Sequence, residues 1–150
     1  MKTFFQITVV IVLVSIMGSC KTTSNVTSQP ESITEKYWKL IEVNGNPVVW
    51  AESATREAFI ILKDKDNLVN GNGGCNTLSG TYEIDRTANR IKFTQMVSTM
   101  MACLNMDVEN DLKRALEMAD NYSLSADGKY LSLNRARMAP LARFEVVYLK

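Results

Sequence analysis

The stretch GNGGCNTLSG, residues 71–80, holds four glycines and one cysteine in ten positions. Glycine loses more backbone freedom on folding than any other residue, so such a cluster persists where a sharp bend or a close approach demands it. Asn70-Gly71 and Asn72-Gly73 are both strong turn pairs. The segment is expected to be a tight bend or bulge between strands, with Cys75 aimed inward. It is not a phosphate loop, because it lacks G-K-[ST] and its glycines do not fit GxGxxG.

On either side the chain reads as short strands. Tyr37 to Val43 (YWKLIEV) is rich in aromatic and β-branched residues, and Asn44-Gly45 follows as a hairpin signal. Pro47 weakens the returning strand. Glu57 to Lys63 is an apolar run ended by the turn DKDN, residues 64–67. Tyr82 and Ile84 alternate with polar neighbours between Ser79 and Asp85, and after the turn RTAN so do Ile91 and Phe93. In NYSLSADGKYLSL, residues 121–133, a turn at Asp127-Gly128 sets Leu124 against Leu131 and Tyr122 against Leu133. The last strand, Ala142 to Leu149, is expected to turn Phe144, Val146 and Tyr148 to one side. One helix is expected from Met106 to Ala119, where Val108, Leu112, Ala115, Leu116 and Ala119 recur at helical spacing, with Asn105 or Asp107 as its cap. Seven or eight short strands and one helix make a mainly β chain, an antiparallel sandwich or barrel.

Of three cysteines, Cys20 belongs to the N-terminal segment, which leaves Cys75 and Cys103 in the folded part. In an oxidising compartment such a pair tends to bridge; two buried free thiols are the other reading. A zinc or redox site lacks support, since the chain has no histidine and no CxxC pair. Asp64, Asp66 and Asn67 depart too far from calcium-loop spacing to be more than a solvated turn. Without histidine, no acid–base set for nucleophilic catalysis is visible, so neither catalytic residues nor cofactors are expected. The methionines at 96, 100, 101, 106, 118 and 138 are expected as flexible core filler rather than the lining of a ligand cavity.

The N-terminus follows another logic. A basic start at Lys2 precedes an apolar run from Phe4 to Met17, shorter than the roughly 18 to 20 residues of a spanning helix. It has the layout of a signal peptide, residues 1–19. Met17-Gly18-Ser19-Cys20 resembles a bacterial lipobox, in which Cys20 is lipidated; an ordinary secreted protein is the alternative. Residues 20–35, rich in Ser and Thr, then form a flexible tether, and 36–150 the folded domain. Of 17 basic and 16 acidic side chains, Lys2 leaves with the signal. A net charge near zero gives no case for nucleic acid as a partner.

Gly71 to Asn76, Gly80-Thr81-Tyr82, Ser98 to Cys103, then Glu109 and the helix around Leu112 to Leu116 together resemble the META domain, also called HslJ-like. The likeness covers about residues 36–149, with Trp38-Lys39-Leu40 as an aromatic-led first strand. It marks Gly73, Gly74, Asn76, Gly80, Tyr82, Thr99 and Glu109 as motif residues. It implies a small antiparallel β-barrel-like domain, lipocalin-like in topology, with one packed helix. No catalytic residues are established for the family. Its members are often envelope proteins or lipoproteins, some linked to heat induction or antibiotic tolerance. From the residues, Glu109 is expected to cap or pair at the helix start and Asn76 to bond the backbone of its own bend. The chain is expected to be a non-catalytic, lipid-anchored envelope protein of the outer membrane, facing the periplasm or the cell surface. It would be held to the membrane through Cys20 and would bind a protein partner there. The rival reading is a pilotin-like or lipocalin-like carrier of a lipid or other apolar ligand.

Overall fold

Trp38, Leu40 and Val43 point inward from the first strand, β1 (Tyr37–Val43), and the same in-and-out alternation recurs along the chain. The computed structural model describes residues 32–49 and 56–148. The other strands are β2 (Asn46–Pro47), β3 (Phe59–Lys63), β4 (Leu68–Asn72), β5 (Thr77–Asp85), β6 (Arg90–Ser98), β7 (Asn121–Leu124), β8 (Tyr130–Asn134) and β9 (Ala142–Val147). Between β6 and β7 lies the helix α1 (Asp107–Met118). Each strand from β3 onward pairs antiparallel with the next, β1 pairs with β3, and β9 returns to β1, with Trp38 opposite Val146. Eight strands therefore close into an antiparallel barrel. The two-residue β2, containing Pro47, is a short exposed flap on the end of β1. Trp38, Leu40, Ile60, Leu62, Leu131 and Phe144 are fully buried, and Leu112, Ala115 and Leu116 of α1 join the same core.

The barrel is not evenly laced. β6 has nine residues but pairs with β7 only at Arg90–Asn121, and α1 packs against the remainder of β6. β5 and β6 slip register between Ser79 and Thr81, where Gln95 takes a positive φ of 52°. A side chain at Gly80 would there strike the Met96 sulfur and sit 3.1 Å from the Thr94 carbonyl oxygen, so glycine is what lets the bulge close. Tyr82, next inward on β5, is 2 % exposed and donates its hydroxyl to the Lys63 carbonyl at 3.1 Å.

Several expectations need correction. Asn70-Gly71 lies within β4, paired with Ile61 and Ile60, because the hairpin reverses only after Asn72. The 121–133 hairpin has the expected register, Leu124 opposite Leu131 and Tyr122 opposite Leu133. Its turn, however, is centred on Ala126-Asp127, closed by Gly128 N–H to the Ser125 carbonyl, and Gly128 follows with a φ of 70°. Tyr148 lies beyond β9 and is exposed, unlike Phe144 and Val146. Met100, Met101 and Met138 are 98 %, 56 % and 67 % exposed, so they are not core filler.

The packed structure also begins earlier than residue 36. Ile33 and Thr34 are buried, the Trp38 indole donates to the Ile33 carbonyl at 2.7 Å, and Thr34 Oγ1 donates to Asp64 at 3.0 Å. The last residues assigned to the tether are held because Ile33 supplies apolar surface that Trp38 and its neighbours bury. The expected signal peptide, the expected lipidation site Cys20 and the rest of the expected tether lie outside the described residues. Strand directions place Ser32 at the barrel end that carries the 64–67 and 86–89 turns. The 73–76 turn and the 99–106 crossing lie at the opposite end.

Candidate functional site

At that opposite end three segments meet. Gly73 to Asn76 form the four-residue turn between β4 and β5, closed by Gly73 N–H to the Asn76 carbonyl at 2.8 Å. Gly74 takes a φ of 115°, a conformation that L side chains rarely adopt. Gly73 is needed for a different reason. A Cβ there would run into Glu109 Cγ and lie 2.8 Å from Glu109 Oε2. One glycine permits the bend and the other makes room for a carboxylate. Asn72 Oδ1 accepts the Gly74 N–H at 2.8 Å, the local turn contact that asparagine favours.

Glu109 enters from the first turn of α1 and is 2 % exposed. Its Oε2 accepts the backbone N–H groups of Asn76 (2.6 Å) and Cys75 (3.1 Å). Its Oε1 accepts Asn76 Nδ2 at 2.8 Å and pairs with Lys113 Nζ, one helical turn on, at 2.7 Å. Burial alone would raise the pKa of this carboxyl. The Lys113 ammonium, the Asn76 N–H and side-chain amide and the Cys75 N–H outweigh it, so the pKa lies below the ordinary glutamate value. The expectation that Glu109 would pair at the helix start holds for Lys113. Its main work, however, is to receive the turn across the barrel end. Asn105 Oδ1 takes the Asp107 N–H at 3.0 Å, and Met106 occupies the cap position without a side-chain bond.

Asn76, 1 % exposed, is the hub. Its side chain does not bond its own bend as expected. Nδ2 donates to Glu109 and to the Met101 carbonyl (3.1 Å), while Oδ1 accepts Thr99 Oγ1 (2.8 Å) and the Met101 N–H (2.7 Å). All four hydrogen-bonding positions of the amide are filled. Thr99 Oγ1 in turn accepts the Thr77 N–H at 3.1 Å. A disulfide joins Cys75 to Cys103, with the Cα atoms 6.2 Å apart. Among the described residues, no buried side-chain nitrogen or oxygen lacks a partner.

The structure thus gathers Gly73, Gly74, Cys75, Asn76, Thr99, Cys103 and Glu109 into one clasp. Gly80 and Tyr82 serve the barrel wall instead. Sequence reasoning missed Lys113, although the spacing Glu109–Lys113 is an i,i+4 pair. Asp64, the first residue of the DKDN turn, accepts from Thr34 and from Arg86 at 3.2 Å. Among the described residues, no group of three or more His, Cys, Asp or Glu side chains could hold a metal ion, and no helix is long and apolar enough to cross a membrane. A groove of about 550 Å³ runs between the ends of β5, β6 and α1, rimmed by Glu83, Asp85, Lys92 and Glu117.

The clasp and barrel match a known family model over residues 31–148, that of the META domain. The chain belongs to the META domain family. Two solved structures share the fold seen here. One is an NMR structure of a protein from Burkholderia xenovorans, 17 % identical, with a TM-score of 0.59, covering 87 % of this chain and 99 % of that one. The other is the crystal structure of a DUF4847-family protein from Bacteroides vulgatus ATCC 8482. It is 16 % identical, with a TM-score of 0.54, covering 75 % of this chain and 93 % of that one. At such identities the likeness concerns the fold alone. A comparison with curated protein sequences finds no match.

Proposed function

We propose that this META-domain protein is a non-catalytic interaction module of the cell envelope, lipidated at Cys20, that supports another envelope component and so contributes to tolerance of stress or antibiotics. The observation that carries the reading is a surface. Val97, Met100, Met101 and Leu104 are 64 %, 98 %, 56 % and 110 % exposed within one short stretch. Clustered apolar exposure of this kind marks contact sites on otherwise polar proteins. The stretch sits at the barrel end away from Ser32, the end where the chain enters the fold.

Two features favour a contact module over an enzyme or a carrier. The polar atoms of Glu109 and Asn76 are committed to one another, to backbone, and to the side chains of Lys113 and Thr99, so they serve the clasp. The barrel core is filled by Trp38, Leu40, Ile60 and Phe144, side chains that occupy the interior a carrier would keep open for its ligand. The test is a photo-crosslinking residue at Leu104 in living cells, with the same residue at Lys92 on the barrel wall as control. A discrete protein adduct is expected at 104 and not at 92. The same adducts at both positions, or none at 104, would overturn the reading.

A further inference from the structure

The bond between Cys75 and Cys103 joins two unlike surroundings. Cys75 is 4 % exposed, its amide held by Glu109 inside the turn. Cys103 is only half-buried, in a stretch with neither helix nor strand, and its neighbours Ala102 and Leu104 are exposed. Exchange of a disulfide requires a thiolate to reach one of the two sulfurs, and access decides which. Here the accessible side is Cys103.

A second observation concerns what the bond holds. Asn76 already ties the 73–76 turn to Thr99 and Met101, and Glu109 ties the turn to α1. The two segments that the disulfide connects are thus tied to each other without it, and the turn is tied to α1 as well. The sulfur link is a further tie for the stretch between Met101 and α1, whose far end is bonded to the helix start through Asn105 Oδ1.

We infer that Cys75–Cys103 is a thiol–disulfide exchange site, opened by an external dithiol at Cys103 while the barrel stays folded. The thiolate of the dithiol attacks Cys103 Sγ. A mixed disulfide forms as the Cys75–Cys103 bond breaks, and Cys75 leaves as a thiolate that takes a proton from solvent. The second thiol of the reagent, after losing its proton, attacks the mixed disulfide and frees Cys103 as a thiol. The dithiol is oxidised by two electrons and the cysteine pair reduced by two. The device would let the thiol balance around the protein loosen Ala102 to Asn105, beside the exposed Met100 and Met101, without dismantling the fold.

The experiment uses the purified, oxidised full chain. Reduced glutathione, a monothiol, is added, the mixed disulfide is trapped by acid and alkylation, and its position is mapped by peptide mass. Glutathione is expected on Cys103 at least tenfold over Cys75. The rate of reduction by dithiothreitol is expected to stay within threefold up to urea concentrations just below the unfolding transition. After full reduction the near-ultraviolet circular dichroism should persist, and the amides of Asn76 and Met101 should keep their hydrogen-exchange protection. Glutathione chiefly on Cys75, a reduction rate that climbs with the unfolded fraction, or loss of either signal on reduction would each overturn the inference.

Discussion

Replacing Glu109 by glutamine removes a charge while keeping size and shape, and the surrounding donors determine the cost. Four donors converge on the carboxylate: two backbone N–H groups on Oε2, and Asn76 Nδ2 and Lys113 Nζ on Oε1. A glutamine has one acceptor oxygen and one NH₂. If its oxygen faces the two N–H groups, its NH₂ confronts Asn76 Nδ2 and the Lys113 ammonium, donor against donor. The reverse orientation strands two buried backbone N–H groups. The first choice is cheaper, because Asn76 Nδ2 keeps the Met101 carbonyl and Lys113, 30 % exposed, can turn to water. It still turns the two backbone bonds from charge-assisted into neutral ones and leaves one N–H of Asn76 Nδ2 without its acceptor, about 2 to 3 kcal/mol in all. Urea unfolding at pH 7 should show that loss as a lower midpoint with an unchanged slope.

The pH dependence makes the test sharper. The folded-state pKa of Glu109 lies below its ordinary value of 4.5. Its contribution is therefore fully present above about pH 4.5, the unfolded value, and is lost as pH falls through the folded one. The gap between wild type and Glu109→Gln should be constant from pH 7 to 5 and shrink below 4.5, because a protonated carboxyl presents the same surplus donor as the amide. A difference under 0.5 kcal/mol at pH 7, or a gap undiminished at pH 3, would refute the reasoning.

Three further outcomes are expected. Gly73→Ala should cost about 1 to 3 kcal/mol by overpacking against Glu109, and much of that should vanish in a Glu109→Ala background; additive losses in a double-mutant cycle would place the strain elsewhere. Replacing both Cys75 and Cys103 by serine should lower stability by about 3 to 4 kcal/mol, read from urea unfolding, while leaving the far-ultraviolet spectrum unchanged; an unfolded variant would contradict the independent Asn76 and Glu109 links. Cys20→Ala should move the protein from the membrane fraction to the soluble one after cell disruption, since stable anchoring takes two or more acyl chains; unchanged partition would count against lipidation at that residue.

What the sequence disclosed, and what it withheld, divides along the range of the interactions. The register of β7 against β8 could be read in advance because it depends on contacts within thirteen residues, Tyr122 with Leu133 and Leu124 with Leu131 inside one hairpin. The helix was legible from the spacing of Leu112, Ala115 and Leu116, which the barrel does bury. Asn70-Gly71 misled because a turn pair describes local preference, and here the strand ladder with Ile60 and Ile61 overrides it. Closure of the barrel by β1 and β9 joins Tyr37 to Val147, and no local pattern carries such a pairing.

The clasp shows the same division within a single motif. That Gly73 and Gly74 serve a bend follows from their chemistry. That Gly73 must be bare because a glutamate thirty-six residues later occupies the space follows only from the folded chain. Asn76 is the clearest case. Its amide is small enough for a turn, yet its four bonding positions reach Thr99, Met101 and Glu109 rather than its own bend. Buried amides are costly unless every position is matched, so this residue tolerates no close substitute. Asn76→Asp would set a second carboxylate against Glu109 and withdraw both donors at once. Gly73, Asn76, Thr99 and Glu109 are thus joined by one constraint, the satisfaction of a buried polar knot, while Gly80 and Tyr82 answer to the barrel wall.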